Sequence, residues 1–78
     1  MSTMTAASYN SIRVQQKRMQ RLVRAVSNTD STSMVMLWDK LRAVSSALDN
    51  FVGTRRQQVA LRRMDAELFA AFVDKFAT

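Results

Sequence analysis

The chain has 78 residues and contains no cysteine and no histidine, which excludes disulfides, thiolate metal sites and the commonest catalytic acid–base group. One glycine, no proline and 47% apolar residues exclude a turn-rich all-β fold and a disordered tail. Twelve basic against six acidic residues give a net charge of +6, which suits an anionic partner. We therefore predict an all-α protein, either a small three-helix bundle or a helical hairpin with an amphipathic N-terminal helix. Because so short a chain buries little surface, we expect it to be oligomeric.

The first predicted helix, residues 9–27, follows a small and polar segment, residues 1–8, that we expect to be flexible. We assign residues 9–78 to a single helical domain. Apolar residues recur in the first helix at spacings of three and four, which predicts one buried face with a single polar member, Gln16. That face consists of Tyr9, Ile12, Gln16, Met19, Val23 and Val26.

The opposite face of this helix is strongly basic. Like charges four residues apart destabilise a helix by about 0.2–0.5 kcal/mol per pair. No acidic residue precedes Asp30, so nothing in this segment relieves the repulsion, whereas an anionic partner would. The residues predicted to contact such a partner are Arg13, Lys17, Arg18, Arg21 and Arg24.

The second predicted helix, residues 33–52, follows a polar loop, residues 27–33, that is rich in N-capping residue types. Residues beyond its apolar stripe, such as Val35 and Met36, make this helix apolar over much of its circumference. Helices of this kind are usually buried on more than one side, so we predict that the stripe also forms an interface with a second copy or another protein. Its members are Met34, Leu37, Trp38, Leu41, Val44, Leu48 and Phe51.

Two architectures are open at Gly53, between the second and third helices. Gly53 fits the position after a helix end, where φ is often positive. Thr54 and Gln57 then form a capping box for a third helix over residues 54–76. Without a turn, the two helices would run on as one helix of about 43 residues, since an interior glycine costs only ~1 kcal/mol. The capping box favours the turn.

The third predicted helix is basic in its first half and acidic on balance in its second half. Two arginines stand at its N-terminus, where the helix dipole disfavours cations, which argues against a local stabilising role. Asp65 and Lys75 lie on or near the apolar face, and we expect them to pair with a neighbouring helix or to reach solvent at the helix end. The predicted anion contacts on this helix are Arg55, Arg56, Arg62 and Arg63.

Four interpretations of the basic faces are open: a solvated surface, an acidic protein surface, nucleic acid, and a membrane surface or targeting role. Our first hypothesis is a small helical interaction or assembly module that self-associates or docks on a protein partner through apolar helix faces. Its basic faces would then meet an acidic surface, such as the region of Asp65, Glu67 and Asp74 in another copy. The alternative is a DNA- or RNA-binding protein or regulator whose arginine stripes contact phosphates.

Other functional classes have little support in the sequence. Without histidine, cysteine or a glycine-rich loop, we expect no enzyme, no cofactor and no metal. No apolar run, residues 34–38 included, approaches the roughly 20 residues that span a bilayer, so we expect no transmembrane segment. No secretory signal is recognisable, and we expect an intracellular, cytoplasmic protein.

Overall fold

Three helices pack against one another in the computed structural model of this chain, which describes residues 8–77. They are α1 (Tyr9–Ala25), α2 (Ser31–Asp49) and α3 (Arg55–Phe76), and each pair of helices is in contact. No strand occurs within the described range. The prediction of a small all-α three-helix bundle is confirmed. The turn before α3 also excludes a continuous helix through residue 53.

Capping side chains set the starts of the first two helices. The Ser8 hydroxyl accepts a hydrogen bond of 3.1 Å from the Ser11 N–H and starts α1, which ends at Ala25 and not at residue 27. Ser8 is the only part of the predicted flexible segment, residues 1–8, that falls inside the described residues. Asp30 accepts from the Ser33 N–H at 3.0 Å and from its hydroxyl at 2.7 Å. Because Asp30 is the cap, α2 begins at Ser31 and not at residue 33.

The turn between α2 and α3 lies where it was predicted, but its geometry differs. α2 ends at Asp49 and not at residue 52, and Gly53 does not adopt a positive φ, so the predicted role of this glycine after a helix end is wrong. Gly53 is required by space instead: a Cβ there would overlap the Phe51 ring and lie 2.6 Å from Gln57 Oε1. The predicted capping box holds Gln57 in place, with two 3.1 Å hydrogen bonds exchanged with Thr54.

The core is formed by one apolar stripe from each helix, completed by a ring from the turn. The stripe of α2 that was predicted as an interface packs against α1 and α3, so the chain itself covers most of it. α1 contributes the face that its spacing predicted. The buried core residues are Ile12, Met19, Val23, Leu37, Leu41, Val44, Leu48, Phe51, Leu61, Leu68 and Phe72.

One polar side chain lies within this core. Gln16 is fully buried, and its Nε2 donates a hydrogen bond of 2.9 Å to the carbonyl oxygen of Leu61 in α3. The other amide atom, Oε1, is buried without a hydrogen-bond partner among the described residues. A slip of α1 along α3 would leave Nε2 unpaired as well, at a cost of about 1–3 kcal/mol, so this bond fixes the relative height of the two helices.

A charged side chain fixes the other end of the same helix pair. Lys75 Nζ donates to the carbonyl oxygens of Val23 and Arg24, at 2.6 Å and 2.7 Å. These carbonyls belong to the last turn of α1, where the helix dipole favours a cation. The predicted pairing of Lys75 with a neighbouring helix is therefore confirmed. Since Lys75 lies near the end of α3, α1 and α3 run in the same direction.

We expect Gln16→Met to stabilise the protein by about 1 kcal/mol. The substitution removes an unpartnered buried oxygen and one hydrogen bond while keeping the volume of the side chain. Urea unfolding followed by circular dichroism measures the change, with Gln15→Met, at an exposed position of the same helix, as the control. A loss of stability comparable to the expected gain would show that the bond to Leu61 outweighs the unpaired oxygen.

We expect Gly53→Ala to destabilise the protein by about 1–3 kcal/mol, because the new methyl group overlaps the Phe51 ring. If the cause is steric, the loss shrinks in a Phe51→Leu background, where the ring is absent. A double-mutant cycle of unfolding free energies measures this coupling. Strictly additive effects of the two substitutions would contradict the steric explanation.

Candidate functional site

The basic residues of α1 are divided between two sides of the helix. Arg24 and Gln20 line a small groove between α1 and α3. Residues seven apart share a helix face. Arg13 precedes Gln20 by seven residues, and Lys17 precedes Arg24 by seven, so both lie on the side of α3. Arg18 instead lines a cleft between α1 and α2.

The arginines of α3 are divided in the same way. Glu67 lines the groove between α1 and α3, and Arg63, one turn earlier, shares its face. Arg56 precedes Arg63 by two turns and lies on that face too. Arg62 lies on the side of α3 that faces α2, because it is close to a carboxylate that accepts a hydrogen bond from α2. Arg55, two turns before Arg62, lies on that second side.

Six of the nine predicted anion contacts therefore lie together on the outer sides of α1 and α3, and we call this region the α1–α3 basic surface. Arg21 lies one turn after Lys17 on α1 and is therefore its neighbour on the outer side of that helix. All six are exposed except Arg13, which is partly buried. Glu67 and Asp74, two turns apart on α3, place negative charge towards the C-terminal end of that helix. The members of the α1–α3 basic surface are Arg13, Lys17, Arg21, Arg24, Arg56 and Arg63.

Asp65 does not belong to the exposed charges, because the fold uses it between α2 and α3. The Ser45 hydroxyl donates a hydrogen bond of 3.0 Å to Asp65 Oδ2, while Oδ1 is buried without a partner among residues 8–77. Burial raises the pKa of Asp65 above its ordinary value of 3.8, against the lowering effects of the Ser45 hydrogen bond and the nearby Arg62. The predicted pairing of Asp65 with a neighbouring helix is confirmed.

The predicted interface on α2 is mostly inside the bundle. Five of its seven members, Leu37, Leu41, Val44, Leu48 and Phe51, are buried in the core, and Met34 is partly buried. Trp38 remains 40% exposed and packs on the rings of Phe69 and Phe72, with both centroid distances 5.5 Å. A partner would therefore reach Trp38 without opening the bundle, but it would not reach the five core residues. Self-association through this stripe stays a prediction.

The cleft between α1 and α2 was not predicted from the sequence. It has a volume of about 250 Å³ and combines an apolar lining with two cations, Arg18 on α1 and Lys40 on α2. Leu22, one turn after Arg18, contributes to the lining and is 40% exposed. An exposed leucine within a basic helix face was the available signal. The remaining lining residues are Gln15, Met19, Ala43 and Val44.

No protein-family model, curated protein or solved structure matches this chain. Within residues 8–77, no helix is both long and apolar enough to cross a membrane. The same residues contain no group of three or more acidic side chains that could hold a metal ion. Function is therefore inferred from the basic surface and the cleft.

We expect Asp65→Asn to change how stability depends on pH. A raised pKa means that the folded protein binds this proton more tightly than the unfolded chain does. Asp65 therefore contributes stability at pH values below 3.8, and this contribution is lost as the pH rises through the raised folded value. When unfolding free energies are measured from acid to neutral pH, the value for the variant should rise relative to that of the wild type as the pH rises.

Asp30→Asn is the control with the opposite sign. Hydrogen bonds from the backbone N–H and the hydroxyl of Ser33 lower the pKa of Asp30, so its contribution is present at neutral pH and is lost on acidification. The unfolding free energy of this variant should fall relative to that of the wild type as the pH rises. A difference between Asp65→Asn and the wild type that stays constant across the pH range would contradict the raised pKa.

Proposed function

We propose that this protein is a small helical interaction module that docks on an acidic protein partner through the α1–α3 basic surface. The proposal rests on a difference between two sets of charged side chains, those that bond to a neighbouring helix and those that lie together on the outside. Lys75 and Asp65 bond to neighbouring helices. The six cations of the α1–α3 basic surface are instead gathered on the outside of two adjacent helices.

The free protein keeps these cations together at a cost. Arg13 and Lys17, and Lys17 and Arg21, are like-charge pairs one turn apart, each destabilising by about 0.2–0.5 kcal/mol. Arg56 lies in the first turn of α3, where there is no acidic residue and the dipole opposes a cation. A partner rich in carboxylates would turn this repulsion into attraction, which supports a binding role for the surface.

Exposed apolar residues of α1 beside the cations favour a protein partner over nucleic acid. Val14 is 48% exposed one turn before Lys17, and Leu22 is 40% exposed on the side of α1 that faces α2. Protein–nucleic acid interfaces are more polar and more positively charged than interfaces between proteins. An acidic protein surface offers carboxylates for the cations and apolar side chains for Val14 and Leu22.

The positions of the aromatic rings agree with this choice. Single-stranded nucleic acids stack their bases on aromatic side chains beside the basic groove. Tyr9 packs towards Phe51 in the interior, at a ring-centroid distance of 6.4 Å, and Trp38 packs on α3. Trp38, the exposed ring, therefore lies away from the α1–α3 basic surface, and Tyr9 is partly buried against Phe51.

Nucleic acid remains the second candidate, because arginine dominates the basic surface. The guanidinium group forms paired hydrogen bonds with phosphate as readily as with carboxylate. A net charge of +6 on so short a chain would also attract nucleic acid. An acidic protein partner predicts that the surface prefers an acidic peptide. Nucleic acid predicts that it prefers DNA and that binding weakens steeply with salt.

The test uses two fluorescent probes in anisotropy titrations over a salt series: a synthetic acidic peptide with one leucine flanked by glutamates, and a generic DNA duplex. We expect the peptide to bind more tightly than the duplex at physiological salt. Lys17→Glu combined with Arg24→Glu should weaken peptide binding about tenfold, because two attractive contacts become repulsive.

The matched control is Arg42→Glu combined with Arg55→Glu, which makes the same change of net charge at exposed positions outside the basic surface. This variant should bind the peptide nearly as well as the wild type. Tighter binding of the duplex, with affinity falling steeply and linearly in log salt, would establish the nucleic-acid candidate in its place. Binding of neither probe would leave the basic surface as a solvated face.

A further inference from the structure

We propose that the cleft between α1 and α2 is an anchor pocket for one large apolar side chain of the acidic partner, with partner carboxylates on both rims. This inference rests on the proposed function and adds the kind of segment that the protein recognises. The cleft opens beside the same helix, α1, whose other side forms the α1–α3 basic surface. A partner segment lying across α1 would therefore reach both regions.

The cleft exists because a small residue faces α1. Ala43 lies one turn after Lys40 on α2, and its side chain ends at the methyl group, which leaves a hollow between the two helices. Met19 and Val44 are buried and form the floor, while Leu22 is 40% exposed at the edge. An apolar side chain placed there would cover the exposed part of Leu22.

The size of the cleft and its opening to solvent suit a side chain better than an enclosed small-molecule ligand. Binding sites for drug-sized ligands and cofactors have volumes of about 300–1,000 Å³ and enclose most of the ligand. This cleft has a volume of about 250 Å³ and is open to solvent on one side. It suits one leucine, methionine or phenylalanine side chain presented by a protein segment.

The charge at the rims indicates the chemistry around that side chain. Arg18 stands on the α1 rim and Lys40 on the α2 rim, and both are exposed. No carboxylate is among the residues of the described chain that line the cleft. A segment with an acidic residue on each side of its apolar anchor would pair with both cations while the anchor enters the hollow.

A second copy of this chain fits the cleft poorly. Asp65 is engaged by Ser45, which leaves Glu67 and Asp74 as the exposed acids of α3. Glu67 shares its helix face with Arg63, so a copy would bring a cation along with that carboxylate. Two chains of net charge +6 also repel each other. The repulsion between two basic chains therefore favours an acidic segment of a different protein as the occupant.

The test compares two cleft variants with matched controls, using the acidic peptide with one leucine as the probe. Ala43→Leu fills the hollow at an exposed helix position, and Lys40→Glu reverses one rim charge. We expect Ala43→Leu to weaken peptide binding about tenfold and Lys40→Glu to weaken it several-fold. Ala70→Leu and Arg42→Glu make the same changes at exposed positions away from the cleft and should bind as the wild type does.

A second form of the peptide, with serine in place of leucine, separates the anchor from the charges. The serine peptide should bind the wild type about tenfold more weakly than the leucine peptide does. On Ala43→Leu, the serine peptide should bind no more weakly than the leucine peptide. Unchanged binding by both cleft variants, together with lost binding by Lys17→Glu/Arg24→Glu, would overturn the anchor pocket and leave the proposed function standing. A peptide that fails to bind the wild type at low salt would overturn both.

Discussion

The hydrogen bond from Gln16 Nε2 to the carbonyl oxygen of Leu61 sets the height of α1 along α3, although an apolar side chain at this position would make the core more stable. It lies in the core, where an unpaired amide nitrogen would cost about 1–3 kcal/mol, so it allows one height of α1 along α3. Lys75 fixes the same pair of helices at their C-terminal ends. Together these two contacts hold α1 parallel to α3, and this alignment brings the arginines of the two helices onto one surface.

Two groups of charged residues then have different roles in the molecule. Asp65 and Lys75 serve the fold, each through hydrogen bonds to another helix. The cations of the α1–α3 basic surface stand together although like charges in adjacent turns repel. This surface borders exposed apolar residues of α1, and the cleft beyond them carries Arg18 and Lys40 on its rims. Cations next to apolar surface form the complement of an acidic amphipathic segment, which is the basis of the proposed function.

Helical periodicity predicted the three helices, the core face of α1 and the capping box at Thr54, because these features depend on residues close together in sequence. The start of α2 was misplaced because every residue from 27 to 33 is an N-capping type, and only the structure shows that Asp30 is the cap. Periodicity also shows which residues face outward, but not which helix lies beside them. The division of the arginines, the burial of the α2 stripe by its own chain and the cleft at Ala43 are consequences of packing between helices, so the sequence alone did not reveal them.

Binding of an acidic partner through α1 is tested most directly by NMR, with the effects of peptide binding mapped onto the amide signals of the isotope-labelled protein. We titrate the acidic peptide that carries one leucine. We expect chemical-shift changes that centre on α1 and extend to Ala43 on one side and Arg63 on the other, while the amide signals around Trp38 and Val35 keep their positions. Changes that centre on the exposed part of Trp38 and leave α1 unaffected would contradict this expectation, since binding would then use the apolar face between α2 and α3 and not the basic surface.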